Sequence, residues 1–267
     1  MNKQSLLLRN KQSLLLRNKQ PFLSVIIPCY NESENIHRGV LEDVGGFLKK
    51  QEFSWEVIIF DDESTDNSWQ IVEKIVADKK NFVHLKDKHG GKPFAVRRGI
   101  EKAQGEWILL TDMDQATPIN QLKKLLPFFQ DCDIVIGSRG AARKNFPLYR
   151  KIASFIFLGL RRSLLLRGIR DTQCGFKALR RKVALDLFPR LQVFRAKTQV
   201  YGWRVSAYDV ELLFIADKLG YKIAEVPVVW EDKDIARGKQ RSFIKESWEM
   251  LKEILRVKLS DLRGYYD

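Results

Sequence analysis

Asp112 and Asp114 stand one residue apart in TDMDQATP, residues 111–118, directly after GEWILL, which reads as a buried strand running out of a core. Acids in such a place are costly unless they meet water, a cation or a ligand. Two more junctions look alike. PCYNES (28–33) follows the apolar run FLSVIIP, and DDESTDNS (61–68) follows WEVIIF. Asn, Asp and Ser at strand ends commonly cap the next helix, and Ser64, Thr65 or Asp66 could do so for a helix over 66–79. Capping accounts for one acid per junction. It does not account for the pairs Asp61-Asp62 and Asp112/Asp114. Carboxylates gathered at one edge repel each other, and a hard divalent cation, Mg²⁺ or Mn²⁺, resolves the repulsion because it prefers oxygen ligands. Mg²⁺ takes one or two carboxylates and completes its shell with substrate phosphates, so the pattern fits a metal that holds a diphosphate.

The elements that must position these residues follow from periodicity. Short runs rich in β-branched residues, at 22–28, 55–60, 82–85, 106–111 and 132–137, read as strands. Helical periodicity fills 33–50, 66–79, 92–103 and 118–130. Alternating strand and helix predicts an α/β fold with a mostly parallel sheet and helices on both faces. In such sheets ligands bind beyond the carboxyl ends of the strands, where all three polar clusters fall.

The chain has 267 residues, 45% hydrophobic, enough for one large domain or a domain with appendages. Its net charge of +14 suggests an anionic partner or a solvated basic surface. The cysteines Cys29, Cys132 and Cys174 show no CxxC spacing, which argues against a disulfide framework and against zinc. The longest apolar run, IASFIFLGL (152–160), is nine residues long. A transmembrane helix needs about 20, so no span is expected. The charges in the N-terminal residues exclude a signal peptide. NKQSLLLR at 2–9 recurs at 10–17 and makes residues 1–20 a basic tandem-repeat tail, either disordered or a weak membrane foot.

SVIIPCYNESENI, IIFDDESTDNS, GGKPFAVRRGI and TDMDQATP occur in an order and spacing that resemble family 2 glycosyltransferases of the GT-A fold. DIVIGSR, RDTQCGFKALRR and YDVELLFIADKLGYKIAEVPVVW are similar to the polyprenyl-phosphate sugar synthases, among them the dolichyl-phosphate glucose and mannose synthases. The resemblance covers residues 22 to 245. It implies a GT-A domain over 21–245, a twisted sheet flanked by helices, followed by an amphipathic helix over 246–267. It implies that Pro28, Tyr30 and Glu32 meet the nucleoside, that Asp61 hydrogen-bonds the base and that Asp62 extends this contact. Lys92 would place the nucleotide. Asp112 and Asp114 would bind metal and donor, with Gln115 beside them as a further ligand. Arg139 and Arg150 resemble the arginines that hold the acceptor phosphate, aided by Ser154. Gln173, Cys174 and Gly175 flank the sugar pocket, Cys174 as small filler. Asp209 and Glu211 fill a D-x-E where other members place a base. Arg237, Lys239 and Arg241 match a basic stretch at the diphosphate.

The implied activity is inverting transfer of a hexose, glucose favoured, from a nucleoside diphosphate sugar such as UDP-glucose to a polyprenyl phosphate. A GDP-mannose donor and a hydroxyl acceptor are the alternatives within the family. The basic segment 146–170, free of acids, suits an interfacial helix on an anionic membrane surface, and SFIKESWEMLKEILRVKLSDL (242–262) is a second amphipathic candidate. The expected location is cytoplasmic, peripheral on the cytoplasmic face of a membrane. A non-catalytic membrane- or nucleic-acid-binding protein is the remaining class, but no RNP, zinc or helix-turn-helix signature points to nucleic acid.

Overall fold

The computed structural model describes residues 20–139, 159, 165–166, 168–194, 208–231 and 243–266. Seven strands form one sheet in the order β3-β2-β1-β4-β6-β5-β7. They are β1 (Leu23–Cys29), β2 (Trp55–Asp61), β3 (Phe82–Lys86), β4 (Trp107–Leu110), β5 (Ile134–Ser138), β6 (Lys177–Arg180) and β7 (Ile223–Pro227). β2 pairs in parallel with both β1 and β3, as do β1 with β4 and β5 with β7. β6 is antiparallel to both β4 and β5. The mostly parallel sheet expected from the sequence is present. β6 and β7 were not among the expected strands: KALR carries neither β-branched residues nor aromatics, and IAEVP is short and ends at Pro227.

The helices are α1 (Ser33–His37), α2 (Val40–Leu48), α3 (Ser68–Val76), α4 (Lys92–Lys102), α5 (Leu122–Leu125), α6 (Arg181–Leu187), α7 (Tyr208–Lys218) and α8 (Phe243–Leu262). Alternate residues of β1 face opposite ways, as the pleat requires. Leu23, Val25 and Ile27 join Leu41, Val44, Leu48 and Val72 of α2 and α3 in one core, while Ile26 joins Val96, Ile100, Val183, Leu187, Leu212 and Leu213 of α4, α6 and α7 in the other. Helices therefore cover both faces, and the ligand-accessible places are the sheet's edges.

Two expected helices differ. The segment 33–50 divides at Gly39, whose φ of 82° ends α1 and starts α2. The segment 118–130 holds only the single turn α5 between 3₁₀ turns at Ile119–Gln121 and Leu126–Phe128, since Pro127 has no N–H to continue an α-helix. The C-terminal helix begins at Phe243 rather than 246. Among the described residues no helix is long and apolar enough to cross a membrane. Residues 1–19, Arg150, Ser154, Arg237, Lys239 and Arg241 lie outside the described residues, as does most of 146–170.

Candidate active site

Register aligns Cys29 with Asp61, and Thr111 donates to the Ile26 carbonyl, so β1, β2 and β4 end along one edge. Each end carries a non-glycine residue in the left-handed region: Asn31 (φ 54°), Glu63 (φ 60°) and Gln115 (φ 49°). Such conformations cost on the order of 1–3 kcal/mol each and persist where the surroundings over-determine them. Here the surroundings are an interlock of two loops. The Asn31 side-chain oxygen accepts from the amides of Thr65 (2.8 Å) and Asp66 (3.3 Å), and its own amide donates to Ser64 Oγ (3.0 Å). The Glu32 amide donates to Ser68 Oγ at 2.8 Å. Asp66, rather than Ser64 or Thr65, accepts from the first amide of α3, Ser68 N, at 2.9 Å, and also from Ser33 N.

Within this frame Asp61 is fully buried. Its Oδ1 accepts from Ser64 N at 2.9 Å, while its Oδ2 is buried with no hydrogen-bond partner among the described residues. A buried acceptor left without a donor is unfavourable by about 1–3 kcal/mol, which a ligand N–H would relieve. Glu32 is buried and accepts from Asn35 Nδ2 at 2.5 Å. Pro28 lies in β1, and the Tyr30 ring sits 4.7 Å from that of His89. Asp62, expected to extend the base contact, follows Asp61 at the end of β2. Its carboxylate accepts from the amides of Gly90 and Gly91, each at 2.8 Å, and lies 2.9 Å from His89 Nδ1. Burial pushes its pKa up, and these three neighbours only partly offset that. Asp62 thus anchors the turn whose Gly91 (φ 86°) starts α4 and sets the place of Lys92.

The Lys92 ammonium lies 2.5 Å from Asp112 Oδ1. Burial alone would lower its pKa, but Asp112, Asp209 and Asp114 more than compensate, and it is raised. Asp114 accepts from the Ala116 amide at 2.9 Å, and its carbonyl accepts from Arg38 at 2.8 Å. Gln115 donates to Thr111 Oγ1 and to the Asp112 carbonyl, leaving Oε1 buried without a partner among the described residues. Gly175 backs the pair: a Cβ added there would stand 2.2 Å from Asp112 Oδ2. Two carboxylates and an unpartnered amide oxygen are hard donors that suit Mg²⁺ or Mn²⁺ completed by phosphate oxygens. Among the described residues no group of three or more His, Cys, Asp or Glu forms a metal cage, so a cation here would depend on its ligand.

Beyond β4 the sequence motifs converge on the same edge. Arg139 grips Asp171 through Nε (2.7 Å) and Nη2 (2.8 Å), and its amide also donates to that carboxylate. Burial would raise the Asp171 pKa, but Arg139 outweighs it and holds the carboxyl well below the usual range. Asp171 also accepts from Gln173 N, and the amides of Arg170 and Asp171 both donate to Glu225 of β7. Trp230 stacks near the Arg139 guanidinium at 5.7 Å. Asp209 opens α7 and accepts from Lys177 Nζ at 2.7 Å; the same ammonium reaches the Cys174 carbonyl. Burial raises the Cys174 pKa, consistent with filler rather than nucleophile. Glu211 turns away from the edge to Arg256 (2.9 Å) and the Tyr266 hydroxyl (2.7 Å), fastening α8 to α7.

Pro28, Tyr30, Glu32, Asp61, Lys92, Asp112, Asp114, Gln115, Arg139, Gln173 and Asp209 are thus all found at or beside this edge. The sequence reading did not identify Asp171, Lys177 or the contact of Gly175 with Asp112. All three sit in RDTQCGFK, the one signal that could have found them.

The model of glycosyl transferase family 2 matches residues 24–188. The dolichyl-phosphate β-glucosyltransferase of Dictyostelium discoideum is 34% identical over 92% of this chain and 76% of its own length. The enzyme of the same description from Saccharomyces cerevisiae is 31% identical over the same shares, and that of Mus musculus 35% over 91% and 76%. Among solved structures, mannosyl-3-phosphoglycerate synthase from Rubrobacter xylanophilus matches with a TM-score of 0.63 at 16% identity, covering 96% of this chain and 77% of that one. Glucosyl-3-phosphoglycerate synthase from Mycobacterium tuberculosis, solved with Mn²⁺, UDP-glucose and phosphoglyceric acid, matches with a TM-score of 0.52 at 19% identity, covering 90% and 79%. These two speak to the fold, the GT-A arrangement, and not to the substrate. The family match runs from β1 through α6 and takes in every junction described above, and the chain belongs to glycosyl transferase family 2.

Proposed function

We propose that the protein transfers glucose from UDP-glucose to a polyprenyl phosphate of the dolichyl type, with inversion at the anomeric carbon. The observation that carries the reading is the edge itself. Asp61, with its unpartnered oxygen, and the Asp112–Lys92 pair lie at the ends of β2 and β4, on either side of β1. Such a span suits a base at one end and a diphosphate at the other. The activity of the relatives, dolichyl-phosphate β-glucosyltransferases, supports glucose and a dolichyl phosphate.

In this reading Pro28, Tyr30, Glu32 and Asp61 receive the nucleoside. Asp112, Asp114 and Gln115 hold the cation, and Lys92 with Arg237, Lys239 and Arg241 receives the diphosphate. Gln173 faces the sugar. Mg²⁺ or Mn²⁺, when bound, supplies neutralisation of the charge that develops on departing UDP. Arg139 and Arg150 hold the acceptor phosphate, as a planar guanidinium suits. A phosphate oxygen forms the bond to C1 while the C1–O bond to UDP breaks and the electron pair leaves with the β-phosphate. Backside attack turns an α-linked donor into a β-linked product. Placement and charge provide the acceleration.

The lipid acceptor requires approach to a bilayer, and we place the protein peripherally on the cytoplasmic face. Supporting this, Trp248, Leu255, Leu259 and Leu262 of α8 are exposed, from 46% to 71%, and the chain is strongly basic. The test is incubation with UDP-glucose, GDP-mannose and other sugar nucleotides, each with polyprenyl phosphate and Mg²⁺ or Mn²⁺, with products identified by mass spectrometry. Glucosylated lipid phosphate from UDP-glucose is expected. Use of GDP-mannose in preference, or glucose appearing only on hydroxyl acceptors, would overturn the assignment.

A further inference from the structure

We propose that Lys177 is a specificity-determining residue, whose ammonium holds Asp209 in an ion pair that denies the site a general base, so that only an acceptor arriving already ionised is glucosylated. The proposal rests on the transferase reading above and names what excludes hydroxyl acceptors and water from it.

Lys177 stands in β6, in the middle of the sheet, with no exposed surface. Its ammonium lies 2.7 Å from Asp209 Oδ1 and donates also to the Cys174 carbonyl. A buried ammonium without a counter-charge is strongly unfavourable, so Lys177 cannot release Asp209 without a large cost. Its stem is fixed in the sheet, and the pair is rigid from both sides. Asp209 is itself nearly buried, 8% exposed, in the first turn of α7, and lies close enough to Lys92 to shift it. It thus lies within electrostatic reach of the Asp112–Lys92 pair, with its Oδ1 engaged by Lys177. Other carboxylates near it are engaged as well: Asp112 by Lys92, Asp114 by the Ala116 amide, Asp171 by Arg139, and Asp62 by Gly90, Gly91 and His89. Asp61, whose Oδ2 has no partner among the described residues, lies at the end of β2, beyond β1 from β4.

The acceptor decides whether this matters. A hydroxyl or a water must lose its proton as its oxygen bonds to C1, and a positioned base contributes about 10²–10⁴-fold to such a step. A phosphate monoester carries its charge already and needs no base. With Lys177 removed, Asp209 would be able to take that proton while the C1–O bond to UDP breaks and the electron pair leaves with UDP. Water would then yield glucose, UDP and a proton.

The experiment compares Lys177→Met, Asp209→Asn and the double variant with the wild-type full chain. UDP release from UDP-glucose is measured with no acceptor, with glycerol and with polyprenyl phosphate, and folding is followed by circular dichroism. Lys177→Met should raise acceptor-free and glycerol-dependent UDP release at least tenfold, and the double variant should lose that gain. Asp209→Asn should lower kcat with polyprenyl phosphate by about tenfold, through misplaced neighbours, and not by the hundredfold or more that loss of a base costs. Folded Lys177→Met with no gain, or Asp209→Asn with a loss above a hundredfold, overturns the proposal. If Lys177→Met alone does not fold, Asp209→Asn decides by the same criterion. A wild type inactive with every sugar nucleotide overturns the transferase reading and this proposal with it. An active wild type whose variants behave otherwise overturns this proposal alone.

Discussion

Gly175→Ala isolates the geometry of the acid pair from its chemistry. The new methyl would lie 2.2 Å from Asp112 Oδ2, 3.0 Å from Cγ and 3.3 Å from Oδ1. An ordinary carbon–oxygen contact is about 1 Å longer than the first of these, so the carboxylate must move by about that much. It is the far end of a side chain that is 37% exposed, so it can rotate away without disturbing the sheet. The cost in stability should therefore sit near the lower end of overpacking, about 1 kcal/mol, or about 2–4 °C in Tm for a domain of this size. The cost in function should be larger, because the shift breaks the 2.5 Å contact with Lys92 and misplaces a cation ligand. A displacement of about 1 Å costs about 100-fold in rate. The assays are a thermal melt, UDP release with polyprenyl phosphate, and Mn²⁺ titration by electron paramagnetic resonance in the presence of UDP. Gly46→Ala is the control, since a Cβ there meets nothing within 4 Å and the site lies within α2; it should be neutral or stabilising by about 0.5–1 kcal/mol. Gly175→Ala with full activity and unchanged Mn²⁺ affinity would refute the reasoning.

Asp171→Asn should raise KM for polyprenyl phosphate more than KM for UDP-glucose, because it loosens Arg139 and Gln173 but not the nucleoside loops; equal increases would contradict this. The depressed folded pKa of Asp171 means that its pair with Arg139 stabilises the fold above the ordinary carboxylate pKa, near 4, and that this stability is lost as pH falls below it. In urea melts the advantage of wild type over Asp171→Asn should therefore begin to shrink as pH is taken from 7 toward 3, and it should vanish only at a still lower pH, where the depressed carboxyl itself takes up its proton. Asp112→Ala should abolish most activity with little change in Tm, and excess EDTA should do the same to wild type; full turnover in EDTA would remove the cation from the account. Trp248→Gln with Leu259→Gln should weaken flotation with anionic vesicles and spare UDP binding, whereas flotation that survives both high salt and these changes would rule out α8 as the contact.

Five of the strands and the acid-bearing ends were legible because short continuous apolar runs and polar clusters are local features. FLSVIIP, WEVIIF and WILL declare themselves, and parallel register then brings Asp61 and Asp112 to one edge. β6 was not legible: its four residues form a strand only because β4 and β5 flank them. Pairings across the fold were hidden for the same reason. Nothing local to Lys177 announces Asp209, thirty-two positions on, as its partner, and nothing in Gly175 tells that its missing Cβ is occupied by Asp112. Asp62 takes part in another such pairing, its carboxylate accepting from the amides of Gly90 and Gly91, 28 and 29 positions on. Glu211, two residues after Asp209, likewise faces α8 and serves the fold.

The central claim is one-step transfer from UDP-glucose to a phosphate oxygen, and the anomeric configuration of the product tests it most directly. Lipid product made from UDP-glucose and polyprenyl phosphate should show, by proton NMR, a β-linked glucosyl phosphate as its only glycoside. An α-linked product, or glucose joined through a hydroxyl rather than a phosphate oxygen, would contradict the account.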